Sequence, residues 1–418
     1  MRDEWSAHRS WLAQTLLDWL CWQTIHGGQA ITDHTPNLTD QAVLHHPQAH
    51  LRDQLPLHAD GYVCTTDDLL RVLLGVAVNR ATIQALCADL VGTPDPETIR
   101  RYLSAQFRVD DLPSLEDHVN TALGDAIPAH VWARARDVAI DFHDRPYYGQ
   151  TPQADGLWVR GEAHAGTTCF YRVATAYLML NGIRLTVAIR FVLPEDDTVV
   201  VLDHLLGRLD ALGLRVKRLF LDKGFAGTAI LAYLTKHQQP ALIACPIRGK
   251  RGGTRALSQG RSSYRTRYTF KEGSAEAFTA DLAVCRTVTT AKRTARMARR
   301  ATWLIFILIH LELPPQRVRR LYRCRFGVES SYRCAGQVRG WTTARNAAYR
   351  FVLMALSCIL LNEWLQLRWC YTQVPRRGGR WLATHRFALS RFVTFVRRAL
   401  EYHYGVIHEL VASTVPRL

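Results

Sequence analysis

The sequence predicts an α/β protein: an all-helical N-terminal region, then a mixed-sheet core carrying a β-rich insertion. Three observations predict it. Before residue 130 the apolar residues recur at helical spacing, with helix-start and turn signals between the runs. From Arg136 to Pro246 short β-branched and aromatic runs alternate with amphipathic ones. From 247 to 300 Gly, Ser, Arg and Thr dominate, and SYRTRYTF and FTADLAVCRTV alternate as strands do. The 418 residues suffice for two or three domains around a substantial core, and 48% hydrophobic with 21% charged residues is a soluble globular composition.

In order, residues 7–23 place Trp11, Leu12, Leu16, Trp19 and Leu20 on one helical stripe. Residues 27–60, with His34, His45, His46, His50 and His58, read as an irregular polar loop, since neither a Cys partner nor ligand spacing marks a metal site. Thr65–Leu74 and Asn79–Leu90 read as helices, with Gly92 as the C-cap and Thr93-Pro94 as the turn. Asp95-Pro96-Glu97 starts another helix: an N-cap Asp, Pro at the first helical position, and an acid in the first turn. Here Ile99, Tyr102 and Leu103 face inward and Arg100 and Arg101 outward, so residues 79–106 have the outline of a DNA-reading helix-turn-helix; a plain helical hairpin has the same outline. Pro113 to Pro128 completes the helical region.

DVAIDF is a strand ending at Asp141, followed by HDRPYYG as a loop. Cys169–Leu180 and Ile183–Val192 form a hairpin around Asn181-Gly182. Thr198–Leu212 is a helix, Val216–Leu221 an apolar strand ending at Asp222, Ala226–Lys236 a helix and Ala241–Pro246 a strand. This is the element order of the ribonuclease-H-like fold, in which acids at strand ends converge on one edge. After the β-rich insertion 247–300, which ends in KRTARMARR, Trp303–Ile309 returns to strand. A helix begins near Gln316 and runs through LYRCRFGVESSYR, Ala344–Trp369 is a long helix packing behind the sheet, and RFVTFVRRALEYHY in the tail is helical. The implied domains are 1–130, helical and DNA-binding; 131–370, catalytic; and 371–418, a basic helical tail. No solenoid repeat is present.

The charge is uneven. The formal net charge is +17, yet from Arg286 onward 24 Lys and Arg face only 5 Asp and Glu, so the C-terminal third carries all of the excess. Most of these cations are Arg, whose fork suits phosphate, so the favoured partner is a polyanion. The ten cysteines form no CxxC pair or framework; Cys21, Cys87, Cys245 and Cys358 read as small buried hydrophobes of a reducing compartment, and nothing marks Cys324 and Cys334 as zinc ligands. The first residues lack the apolar core of a signal peptide. The apolar run Phe351–Leu361 stops at Asn362 and Glu363 and reads as a buried helix, with no membrane partner. The expected location is the cytoplasm, on nucleoid DNA.

Three acids carry the chemistry. Asp141 and Asp222 end strands, and Glu329 lies on a helix where Tyr322, Arg325 and Glu329, at i, i+3 and i+7, share one face with Arg333 a turn further. A lone carboxylate among cations also fits an ordinary helical charge pair of a few tenths of a kcal/mol. Three carboxylates from distant segments instead suit two hard cations. Mg²⁺ takes carboxylate and water oxygens, and two ions about 3.5–4 Å apart activate an attacking oxygen and stabilise a leaving one in phosphodiester displacement. Mn²⁺ is the natural substitute.

Residues 65–370 resemble the DDE transposases of prokaryotic insertion sequences, through AIDFHDRPYYG, FLDKGF and YRCRFGVESSYR, which contains Y-x2-R-x3-E, and through the following QVRGWTTARN. The resemblance implies Asp141, Asp222 and Glu329 as the triad, with Asp144 the alternative to Asp141. It implies phosphate contacts for Tyr322, Arg325 and Arg333. The family's Lys position holds Gly336, so Arg339 or Arg333 takes that contact. It further implies cut-and-paste transposition: binding of double-stranded terminal inverted repeats, cleavage at the ends, a hairpin intermediate, joining to target DNA, and a homodimer on paired ends. His143, Tyr147, Tyr148 and Lys223 lie nearby in sequence, the two tyrosines as packing residues. A ribonuclease-H-like nuclease of another role and a catalytically inactive, transposase-derived DNA-binding protein remain alternatives; inverted repeats flanking the reading frame distinguish them.

Overall fold

The computed structural model describes residues 37–127, 129–149, 156–180, 183–293, 296–376 and 379–409. The helix expected over 7–23, His34, Cys21 and the Asn181-Gly182 turn lie outside the described residues.

The described chain begins with helices α1 (Asp40–Gln54), α2 (Thr66–Asn79), α3 (Ile83–Asp89), α4 (Pro96–Gln106) and α5 (Leu112–Asp125). Strands β1 (Arg136–Pro146), β2 (Val159–His164), β3 (Thr167–Leu180) and β4 (Ile183–Val192) follow, then α6 (Thr198–Ala211), β5 (Val216–Leu221), α7 (Thr228–Lys236) and β6 (Ala241–Cys245). Next come β7 (Tyr264–Phe270), β8 (Phe278–Arg293), β9 (Arg296–Ile309), α8 (Pro315–Arg323) and α9 (Gly327–Ala335). The long α10 (Ala347–Tyr371), the hairpin β10 (Gln373–Arg376) and β11 (Gly379–Leu382), and α11 (Leu389–Tyr404) close the described chain. Two compact units result: residues 132–147 with 158–331, and 1–131 with 148–157 and 332–418.

The first unit is a large mixed sheet, ordered β2-β3-β1-β5-β6-β9-β8-β7, with β4 also on β3. β1 runs parallel to β5 and antiparallel to β3. HDRPYYG is not a loop throughout: β1 continues to Pro146 because β3 supplies a ladder partner for each residue from Val138 to Pro146. The unforeseen β2 pairs with the start of β3, its polar VRGEAH lacking an apolar stripe. The insertion extends the same sheet. β9 pairs with β6 from Ile305, and β7 covers β8 as far as Val284. From Cys285 to Arg293 and Arg296 to Leu304 the strands pair with each other as a two-stranded ribbon, whose far end is the basic run.

The second unit is helical. Helix α4 starts as its sequence dictates: the Asp95 side chain accepts the Glu97 and Thr98 amides, Pro96 is at the first position, and such a cap stabilises by about 1 kcal/mol. Helix α2 opens with a capping box between Thr65 and Asp68 and buries Leu69, Leu70, Leu73 and Leu74. Gly92 is not a C-cap; α3 ends at Asp89, and the Gly92 amide donates to Tyr404 O at 2.9 Å, where a Cβ would meet that oxygen at 3.1 Å.

Residues 40–54, expected as loop, form α1. Val43, Leu44, Pro47 and Leu51 are buried at helical spacing, a stripe masked in the sequence by histidines. Two of those histidines hold a buried acid: His46 Nε2 and His50 Nδ1 lie 2.8 and 2.5 Å from the Glu363 carboxylate on α10. The helix expected behind the sheet, α10, packs instead on α5, α1 and α2. Among the described residues it is the one single helix long and apolar enough to cross a membrane, and 78% of its most apolar window is buried in the protein. Among the described residues the nine cysteines form no disulfide; Cys245 and Cys358 are buried, Cys87 only partly.

Candidate active site

The site is built at the ends of two neighbouring parallel strands. In the β1–β5 ladder Ile140 pairs with Leu221, so the next residues, Asp141 and Asp222, emerge side by side. Parallel neighbours are about 4.8 Å apart, which brings the two carboxylates close. Pairing between the strands stops there, leaving this edge of β1 open beyond Ile140. The flanking loops are fixed. The Asp222 carboxylate accepts the Gly224 amide at 2.8 Å, and Phe142 stacks on Phe225 with centroids 4.9 Å apart.

The third segment is pinned onto these ends. The Tyr322 hydroxyl donates to Leu221 O, one residue before Asp222, at 3.0 Å, while its ring packs on Phe306. Arg325 Nη2 lies 2.9 Å from Asp141 Oδ1, with 9% of the Arg325 side chain and 15% of that of Asp141 exposed. Tyr322 and Arg325, expected at phosphates, are thus buried and engaged with the strand ends. Arg325 pairs with Asp141 rather than with Glu329, its helical neighbour in the sequence. Glu329 is exposed and lies within electrostatic reach of Asp141.

The expected single helix through Glu329 is broken. Helix α8 tightens into a 3₁₀ turn at Cys324–Phe326 before α9 begins, so 322, 325 and 329 do not share one uniform α-helical face. Arg184, at the start of β4, accounts for the break. Its Nη2 donates to Cys324 O at 2.6 Å, and its Nη1 to Leu180 O and Ile183 O at 2.7 and 2.8 Å. A guanidinium that captures a helix carbonyl competes with the ladder. Gly327 makes room for it: a Cβ there would lie 2.8 Å from Arg184 Nε. No spacing rule pointed to Arg184, because Cys324, the helix carbonyl it captures, lies 140 residues away.

Burial raises the Asp141 carboxyl to about 6; the Arg325 charge opposes this, while Asp222 and Glu329 add to it. One guanidinium therefore does not outweigh desolvation and two like charges. Asp144, the alternative first acid, is held by Arg172, its cross-strand partner, with Nε–Oδ1 and Nη2–Oδ2 at 2.6 and 2.8 Å. Asp137 is likewise held by Arg218. Tyr147 is buried as expected, whereas Tyr148 is 69% exposed.

Among the described residues no three His, Cys, Asp or Glu side chains are closed into a ready coordination sphere. The donor set nonetheless fits a hard divalent cation. It is all carboxylate oxygen, and burial, joined by the charges of Asp222 and Glu329, raises Asp141 to about 6, a cost that a bound cation would offset. Of the other expected contact residues, Arg333 and Arg101 are exposed and Arg339 is half-buried, and Arg100 pairs with Glu97 at 2.7 Å.

A family model described as the transposase DDE domain matches residues 132–362. Among curated proteins no match is found. Among solved structures the chain is similar to that of a piggyBac transposase synaptic complex with hairpin DNA, with 11% identity, a TM-score of 0.49, and coverage of 87% of this chain and 76% of that chain.

Proposed function

The chain belongs to the transposase DDE-domain family, and from that premise we propose that it cuts DNA at the ends of its own element and joins the freed 3′-hydroxyls to target DNA. The observation that carries this reading is the Ile140–Leu221 register, which sets Asp141 beside Asp222 within electrostatic reach of Glu329. The core is read as ribonuclease-H-like. The three carboxylates would hold two divalent cations, Mg²⁺ or Mn²⁺, which when bound would supply Lewis-acid catalysis to the phosphodiester displacement. The chain's own residues prepare the site. Arg325 favours ionised Asp141, Tyr322 ties the Glu329 segment to the end of β5, and exposed Arg333 faces phosphate. The N-terminal helices select double-stranded terminal inverted repeats through Arg100 and Arg101, the C-terminal basic region supplies general affinity, and a homodimer holds paired ends. The enzyme acts in the cytoplasm on nucleoid DNA.

Asp141→Asn, Asp222→Asn and Glu329→Gln keep shape and lose charge. Each should abolish Mg²⁺-dependent cleavage of element ends, and binding should persist or tighten as phosphate repulsion falls. The losses should be non-additive, since one missing ligand disables the shared site. A variant that still cuts at the wild-type rate in magnesium removes its residue from the metal site.

A further inference from the structure

The motif QVRGWTTARN follows the acid-bearing segment in sequence but belongs to the helical unit, and its most prominent residue is unexplained by packing. Trp341 is 57% exposed. Its loop is nevertheless anchored. Gly340 is pressed against α2, where a Cβ would fall 2.4 Å from Val76 Cγ1, and the Trp341 amide donates to Ala81 O at 3.0 Å. Ala81 lies in the tight connection between α2 and α3, whose axes differ by 96°. Arg80, which ends α2 in the left-handed conformation with φ of 51°, stands beside it.

Two arginines flank the residues of this anchoring hydrogen bond in sequence. Arg339 lies two residues before Trp341 and Arg80 one residue before Ala81, and among the described residues neither guanidinium has an ion-pair or hydrogen-bond partner. Burial pushes Arg339 down from the usual guanidinium range, and the Arg80 charge pushes it further, so the two cations repel. A helix C-terminus welcomes one cation, which accounts for an arginine at the end of α2. It does not account for a second, half-buried arginine or for a large aromatic ring held in water by a docked loop. A phosphate relieves the repulsion, and a flat π-face covers the indole. Because the loop is already anchored, the ring loses little freedom on binding.

We propose that Arg80, Arg339 and Trp341 form a DNA subsite in the helical unit: the arginines grip one backbone phosphate and the indole stacks on an unpaired base next to it. This rests on the reading of the chain as a DNA transposase. The ligand is DNA with a single-stranded or locally opened stretch, since a base inside an intact duplex has no free face to offer. Base–aromatic stacking is tolerant of sequence, so the subsite recognises the opened state of the DNA rather than its letters.

The full-length chain is titrated, by fluorescence anisotropy, with a labelled duplex from the DNA flanking its reading frame and with the same duplex ending in a single-stranded extension. Trp341→Ala should lose about ten-fold or more in affinity for the extended duplex and less than about two-fold for the blunt one. Trp341→Phe should stay within about three-fold of wild type on both. Arg80→Ala combined with Arg339→Ala should weaken both and lower the salt dependence by about one counterion. Unchanged affinity of Trp341→Ala for the extended duplex overturns the proposal. So does an equal loss on both duplexes with a lowered melting temperature, which marks a packing role. A changed oligomeric mass in light scattering with DNA binding intact overturns it in favour of a protein interface. Failure of the wild-type chain to bind even the blunt duplex sinks the underlying DNA reading, whereas the other outcomes leave it standing.

Discussion

Asp141 illustrates what a residue's position reveals and what it conceals. A carboxylate closing an apolar β run was visible in DVAIDF, and a second in FLD, because a strand that ends in an acid needs a partner or solvent there. The partners were not visible. Arg325 on Asp141 and Arg172 on Asp144 are separated from their acids by far more chain than any local rule spans, and they distinguish the two candidate aspartates. The electrostatics yield a prediction. The folded state holds the Asp141 carboxyl at about 6, above its ordinary 3.8. Stability from this group is therefore fully present below pH 3.8 and is lost as the pH rises through about 6. Without divalent cations, Asp141→Asn should raise the melting temperature at pH 8, by at most about 3 kcal/mol of stability, and change little at pH 4. The Asn oxygen still accepts from Arg325, so the comparison isolates the charge. Mg²⁺ should narrow the gap at pH 8 by stabilising the wild type alone. An equal effect of the substitution at both pH values would remove the charge explanation.

Two elements, the broken helix and α1, escaped the sequence for the same reason: each is decided by a distant side chain. Uninterrupted helical periodicity in LYRCRFGVESSYR hides the 3₁₀ turn, because the cause is Arg184 on the β3–β4 hairpin. Arg184 is a positioning residue: it holds the break after which Glu329 emerges. Arg184→Lys loses the fork that grips three carbonyls, and Gly327→Ala pushes the guanidinium away by crowding. Both should raise the half-saturating Mg²⁺ concentration for cleavage by about ten-fold, with the rate recovering at saturating metal. An unchanged metal dependence in both variants would make the contact merely structural. In α1 the histidines that obscured the helix are its anchors. Burial by itself would lower the His46 pKa and raise that of Glu363. Their mutual hydrogen bonds and charges win, raising His46 and holding Glu363 at about 2. The Glu363 contribution is present above its ordinary 4.5 and lost as pH falls through about 2; that of His46 is present below 6.5 and lost as pH rises beyond it. Melting temperature should therefore peak between about pH 4.5 and 6.5. Glu363→Ala, which strands two half-buried imidazoles, should cost up to about 3 kcal/mol there, and Glu363→Gln should flatten the profile. A Glu363→Gln profile parallel to wild type would leave the ion cluster without a role in that peak.

For the whole molecule, the alternation of strands and helices between Arg136 and Cys245 was legible, polar β2 excepted, because the other strands carry apolar runs of their own. The path of the helical unit was not, because its core is assembled from both ends of the chain. Glu363 meets His50 across 313 residues, and Tyr404 donates to Asp68 across 336. Helix α11 packs on α1 and α2 through buried Phe392, Val396 and Leu400, and α10 packs on α5, α1 and α2. Residues 1–131 alone therefore lack the α10 and α11 faces that pack on α1 and α2, whose buried side chains include Leu69, Leu73 and Val76. Each such side chain left in water costs about 1.5–3 kcal/mol, and a few of them exceed the whole margin of a small domain. A fragment of residues 1–131 should show helical circular dichroism without a cooperative melt and should bind hydrophobic dye. Supplying residues 332–418, joined by a flexible linker or co-expressed, should restore a cooperative transition and suppress dye binding. Only that combined fragment is a fair test of whether the N-terminal helices prefer element ends to random duplex. A cooperative melt of residues 1–131 alone, near that of the full chain, would mean that α10 and α11 are accessories and that the helical core closes without them.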